Sequence, residues 1–117
     1  MKKADVLAAL AALGQENRLD TYRLLVQAGP EGMPAGEVAT ALRLAPNTLS
    51  FHFDRLRDAE LVTVRREGRS MIYAARYDTM NELLNYLTEN CCRGAPEACS
   101  PVAVCKPTRG KRAKVSA

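Results

Sequence analysis

Tryptophan does not occur in the 117 residues, aromatic residues make up 5%, and there is a single histidine, His52. A core without large rings has to be filled by Leu, Val and Ala, which suits helices packed through aliphatic stripes. No apolar run approaches the roughly 18 residues that cross a bilayer, so no membrane association is expected. The opening Met-Lys-Lys and its Ala/Leu run superficially resemble an export signal. However, Asp5 interrupts the run and Gly14-Gln15-Glu16-Asn17-Arg18 offers no small-residue cleavage site. The segment reads as an amphipathic helix, and the chain is expected to be cytoplasmic, with reduced thiols. A Gly-rich phosphate loop, a paired-carboxylate motif and a nucleophile elbow are also missing, so neither an enzyme nor an organic cofactor is expected.

What is present amounts to one domain, since 47% hydrophobic content over this length builds one modest core. The formal net charge of +4 is unevenly spread. Residues 1–99 hold twelve basic and thirteen acidic side chains, and the excess lies in a tail of Lys106, Arg109, Lys111, Arg112 and Lys114. A basic tail of this kind is expected to be disordered beyond about residue 106 and to add only nonspecific phosphate attraction. Any specific contact with nucleic acid has to come from the domain itself.

Along the chain, Val6, Leu7, Leu10 and Leu13 fall at helical spacing over residues 4–13. A second helix over residues 16–27 turns Leu19, Tyr22, Leu25 and Val26 inward and is broken by Gly29-Pro30-Glu31-Gly32. A short third helix from Pro34 to Leu42 buries Val38 and Leu42. After Leu44-Ala45-Pro46-Asn47, a fourth helix to Ala59 sets Leu49, Phe53 and Leu56 at i, i+4 and i+7 against the core. Residues 61–66 and 70–75 are β-rich runs around Glu67-Gly68-Arg69, a hairpin with glycine at its tip. Residues 77–90 resume helical periodicity with Met80, Leu83, Leu84 and Leu87 on one stripe, which Cys91 continues. Gly94, Pro96, Pro101 and Pro107 then preclude regular structure.

The expected fold is mainly α with a small β-hairpin wing (α+β), a winged helix-turn-helix in the order α-α-α-α-β-β-α. Two short helices joined by a tight turn, the second with a small polar and basic outer face, are what a major groove admits. Asn47, Thr48 and Ser50 near the start of that helix let its backbone approach phosphates, with the positive end of the helix dipole assisting. Phe51, His52 and Arg55 share the outer face; His52 and Arg55 reach base edges or phosphates, and Arg is suited to bidentate contact with guanine. Arg65, Arg66 and Arg69 cluster on the hairpin, where they meet the minor groove or flanking backbone. The expected partner is double-stranded DNA. His52 as a metal ligand is disfavoured, because it sits far in sequence from the cysteines.

The stretch Asn47-Thr-Leu-Ser-Phe-His-Phe-Asp-Arg-Leu-Arg-Asp-Ala-Glu-Leu-Val62 resembles the recognition helix of the ArsR/SmtB repressors, with their Ser-x-His-hydrophobic-x-x-Leu pattern. Arg65-Arg-Glu-Gly-Arg-Ser-Met-Ile-Tyr73 resembles their wing. The resemblance covers about residues 4–90. It implies a homodimer joined through the first and last helices, repressing an operon by covering its operator. Many members carry a Cys-x-Cys sensor in the helix before the recognition helix, and Glu37-Val-Ala-Thr-Ala-Leu42 has no cysteine. A soft-ion sensor has to lie elsewhere.

All four cysteines, Cys91, Cys92, Cys99 and Cys105, fall within fifteen residues of a Gly- and Pro-interrupted segment, which argues against simple core filling. Thiolates select soft ions, and trivalent arsenic or antimony takes three sulfurs in a pyramid without a fourth ligand. Cys91, Cys92 and Cys99 supply that set. Neighbouring residues of a regular helix diverge by about 100°, so both vicinal thiols meet one ion only where a helix ends or unwinds. The Gly94–Pro96 turn lets Cys99 fold back. A vicinal pair near the end of the last helix with a third cysteine beyond resembles the arsenite site of a subgroup of ArsR repressors, which implies these three ligands for arsenite or antimonite and leaves Cys105 without a counterpart.

The expected organisation is a DNA-binding and dimerisation domain over 1–90, a cysteine-rich sensor segment over 91–105 and the basic tail over 106–117. The competing readings are a zinc or cadmium sensor using four cysteines, which lacks paired Cys-x-x-Cys knuckles, and a thiol redox switch in which Cys91 or Cys92 pairs with Cys99 or Cys105.

Overall fold

The computed structural model describes residues 1–94; Cys99, Cys105 and the basic tail lie outside the described residues. The chain forms α1 (Lys3–Leu13), α2 (Glu16–Ala28), β1 (Met33–Pro34), α3 (Ala35–Leu42), α4 (Pro46–Asp58), β2 (Val62–Glu67), β3 (Ser70–Ala75) and α5 (Tyr77–Thr88), followed by a short 3₁₀ turn at Cys91–Gly94. This is the expected winged helix-turn-helix, with one strand and one terminal turn more than the sequence suggested. No helix among the described residues is long and apolar enough to cross a membrane.

Local chemistry sets the helix ends. The Asp5 carboxylate accepts from the Lys2 backbone N–H at 3.1 Å and caps the first turn of α1. The Gln15 side-chain oxygen takes the Arg18 N–H at 2.9 Å at the start of α2. Pro46 opens α4, where its missing N–H costs nothing. Arg43 turns the chain out of α3 in the left-handed region (φ 57°), and the Leu44 N–H returns to the Ala39 carbonyl at 3.0 Å. Three residues therefore separate the two helices of the motif.

The sheet is antiparallel in the order β1-β3-β2, with Val64 opposite Tyr73 and Met33 also opposite Tyr73. β1 was not foreseen. Two residues carry no period that a sequence can reveal, and Pro34 is tolerated because the strand lies at an edge. Gly32 enters it at φ +77°, where an added Cβ would collide with the Tyr73 carbonyl oxygen; only glycine gives that close approach without strain.

The core joins Tyr22 and Leu25 of α2, Val38 of α3, Leu49, Phe53 and Leu56 of α4, and Leu61 at the root of the hairpin. Phe53 and Tyr73 stack with centroids 3.6 Å apart and planes 3° from parallel, tying the recognition helix to the central strand. Thus α4 packs as its i, i+4, i+7 spacing indicated.

The first two helices depart from expectation. In α1 the buried side chains are Val6, Ala9 and Ala12, while Leu7 and Leu10 are 58% and 41% exposed. Small alanines let α1 approach its neighbours closely, so the leucines are rotated outward. Leu19 of α2, expected inside, is 42% exposed, and Leu42 is only half-buried. In α5, Leu83 is buried, Met80 and Leu84 are half-buried and Leu87 is 55% exposed.

Candidate nucleic-acid interface and cysteine turn

The outward face of α4 is built by its own periodicity. With Leu49, Phe53 and Leu56 committed to the core, Asn47, Thr48, Ser50, Phe51 and Arg55 are left exposed, together with Asp54 and Asp58. The Asn47 side-chain oxygen accepts from the Thr48 N–H at 3.1 Å in the first turn. Arg55 places its guanidinium carbon 5.0 Å from the centroid of the Phe51 ring, one turn back.

His52 does not belong to that face. It is only 6% exposed, at the margin of the core stripe between Leu49 and Leu56, and its Nδ1 is buried without a hydrogen-bond partner among the described residues. The reason is angular: position 52 lies three residues beyond Leu49 and four before Leu56, so it rides beside the packed side chains. Burial lowers its pKa, and the Arg18 guanidinium adds to the lowering. Arg18 is itself fixed by a 2.6 Å hydrogen bond from its Nε to the Ala12 carbonyl. The imidazole is held away from solvent, and both influences favour its neutral form.

On the hairpin, Arg65, Arg66 and Arg69 are all exposed. Arg65 is engaged by Glu67 at 2.8 Å, and Arg66 Nε donates to the Gly68 carbonyl at 3.3 Å. Since successive residues of a strand face opposite sides, Arg65 and Arg66 point to different faces of the ribbon, and Arg69 follows Gly68 (φ +62°) at the tip. Sequence reasoning grouped the three arginines; the structure divides their directions.

A polar, partly basic helix face beside a basic hairpin, both locked to one core by the Phe53–Tyr73 stack, has the layout of a DNA reader. Residues 13–65 match the model of a family described as a helix-turn-helix domain. The HTH-type transcriptional regulator YceK of Bacillus subtilis, itself uncharacterised, is 36% identical over 73 residues, which span 62% of this chain and 72% of that protein. The chain belongs to the helix-turn-helix transcriptional regulators. Two solved structures agree. An ArsR-like transcriptional regulator from Rhodococcus sp. RHA1 superposes with a TM-score of 0.65 at 26% identity, covering 72% of this chain and 76% of that one. Reduced HlyU from Vibrio cholerae N16961 gives 0.59 at 30% identity, covering 72% and 88%.

In this regulator the last helix ends earlier than its periodicity suggested. α5 stops at Thr88, Glu89 is extended (ψ 140°) and Asn90 is left-handed (φ 58°). Cys91 therefore leaves the stripe of Met80, Leu83 and Leu87 instead of continuing it. Cys91 and Cys92 fall in the terminal turn, where Cys92 and Arg93 also adopt positive φ, and their sulfurs stand 3.5 Å apart. Both are half-buried. Among the described residues no three His, Cys, Asp or Glu side chains gather as a metal site; Cys99, the third thiol of the expected set, lies outside the described residues.

Proposed function

We propose that this regulator is a repressor that covers operator DNA as a homodimer and releases it when trivalent arsenic or antimony is taken by Cys91, Cys92 and Cys99. The observation that carries this reading is the position of the vicinal sulfurs, 3.5 Å apart just past the end of α5. At metal–sulfur bonds of roughly 2.3 Å, two sulfurs at a right angle on one ion stand about 3.3 Å apart. A vicinal pair in a regular helix would be splayed; here the helix has already ended, so closing on an ion needs little rearrangement. The departure of Cys91 from the stripe sets the route of the signal. An ion pulls on Glu89 and Asn90, the link to α5, instead of unwinding a last helical turn.

The homodimer is supported by the exposed leucines. Leu7 and Leu10 of α1, Leu19 of α2 and Leu87 of α5 are all more than two-fifths exposed, and α5 lies against α1. A second copy packed along these helices covers such leucines and fixes the distance between two recognition helices. Changing that distance lowers affinity for a site with fixed half-site spacing.

The test is release of DNA bound by the reduced full-length protein, titrated with arsenite, antimonite, zinc and cadmium side by side. Arsenite or antimonite is expected to release DNA at micromolar concentration. Cys91→Ser, Cys92→Ser and Cys99→Ser are each expected to abolish release while leaving DNA binding intact. Release by zinc or cadmium but not arsenite overturns the assignment. So does release by peroxide alone, reversed by dithiothreitol, which is the behaviour of a redox switch.

A further inference from the structure

Phe51 is an anomaly on its surface. The chain has two phenylalanines; Phe53 is 1% exposed in the core and Phe51 is 51% exposed, amid Asn47, Asp54, Arg55 and Asp58 on the outward side of α4. Its ring is nevertheless braced. The Arg55 guanidinium stands 5.0 Å from its centroid on one side. The ring of buried His52 is inclined to it at 60°, with centroids 5.9 Å apart. An exposed ring flanked by two neighbours has less rotamer freedom to lose on binding than an unflanked one.

We propose that Phe51 is a specificity-determining residue of this regulator: its ring seats against the 5-methyl group of a thymine in the major groove and positions Arg55 for a guanine close by. The inference rests on α4 being the helix that enters the groove. Thymine alone among the four bases presents a methyl group there, cytosine has only a C–H at that position, and the purine edges offer hydrogen-bonding groups. A phenyl ring leaves such groups dry and unpaired, so it discriminates against them as well as favouring the methyl. The Arg55 guanidinium stands 5.0 Å from the ring centroid, a separation within roughly two base-pair steps of 3.4 Å. Its planar fork, steadied over the ring, suits the paired acceptors of guanine. The recognised half-site therefore contains a thymine and a guanine within two steps.

The experiment starts from a pool of random DNA duplexes, from which the full-length protein selects its preferred site. Recovery of a half-site with that thymine and guanine is expected. Replacing the thymine with deoxyuridine, which removes only the methyl group, is expected to weaken binding about fourfold, the value of one buried methyl. Phe51→Ala is expected to bind the thymine and deoxyuridine duplexes equally, and Phe51→Leu to retain a preference for thymine. Because Phe51 lies outside the core, both variants are expected to melt with the parent protein. A Phe51→Ala protein that keeps the fourfold difference overturns the proposal, as does a selected site in which no thymine responds to loss of its methyl. If the parent protein enriches no site at all, the reading of α4 as the groove helix falls with it.

Discussion

Around α4 the chain covers its own apolar side chains, Phe51 excepted, whereas along α1 and α5 it leaves several leucines uncovered. Leu49, Phe53 and Leu56 are at most 2% exposed, held against Val38, Leu61 and Tyr73. Leu7, Leu10 and Leu87, on the opposite set of helices, are between 41% and 58% exposed. The DNA-facing half is thus completed by contacts within one chain, and its geometry is preorganised before any partner arrives. The other half leaves apolar area that a second chain can cover. A regulator divided in this way can keep each reading head rigid while adjusting the distance between two of them.

The sharpest way to break the comparison is on the completed side. Phe53→Ala removes a fully buried ring and its stack on Tyr73, and is expected to cost about 3–5 kcal/mol of folding stability. Urea denaturation should show a midpoint lowered accordingly, with the hairpin and α4 lost together. A loss below about 1 kcal/mol would mean that the wing and recognition helix are held by something other than this contact.

On the open side, Leu87→Glu is expected to leave the fold of the single chain almost untouched, because the side chain is 55% exposed. It should weaken self-association by about a hundredfold, the consequence of denying one leucine its burial of roughly 1.5–3 kcal/mol. Sedimentation at graded concentration reads the association, and thermal melting reads the fold. An unchanged dimer would show that α5 is not at the seam.

The same division explains what was legible in the sequence. Where a helix packs within its own chain by large side chains, as Leu49, Phe53 and Leu56 do, the 3.6-residue period gives both the element and its buried face. The hairpin was legible for a similar reason, since a glycine tip between two β-rich runs has few other solutions. The face of α1 was not, because Ala9 and Ala12 signal nothing by hydrophobicity while allowing the closest packing, and the more hydrophobic leucines point outward. β1 was hidden by its length, and its only trace was Gly32 ahead of Met33-Pro34. The end of α5 was overrun by two residues because the break is made by backbone angles at Glu89 and Asn90, with no proline or glycine to mark it. The position of His52 was misjudged because a polar residue at the margin of a core stripe looks, in sequence, like part of the exposed face.

That histidine offers the subtlest test, since it puts a titratable group on the completed side. Its pKa is lowered from the ordinary 6.5, first by burial and then by Arg18, so the unfolded chain takes up the proton before the folded one does. The contribution to stability is therefore whole above about pH 6.5, declines as pH falls towards the folded-state pKa, and levels off below it. The steepest slope attributable to one such proton is about 1.4 kcal/mol per pH unit. His52→Gln keeps a polar side chain of similar reach and cannot take up that proton. Its stability curve, measured by urea denaturation at pH steps from 7.5 to 5, is expected to run flatter than the parent's below about pH 6.5. The offset between the two curves at pH 7.5 carries the cost of burying a different polar group, so only the slope decides the matter. Parallel curves would place His52 in solvent, and with it the face of α4 that the completed half depends on.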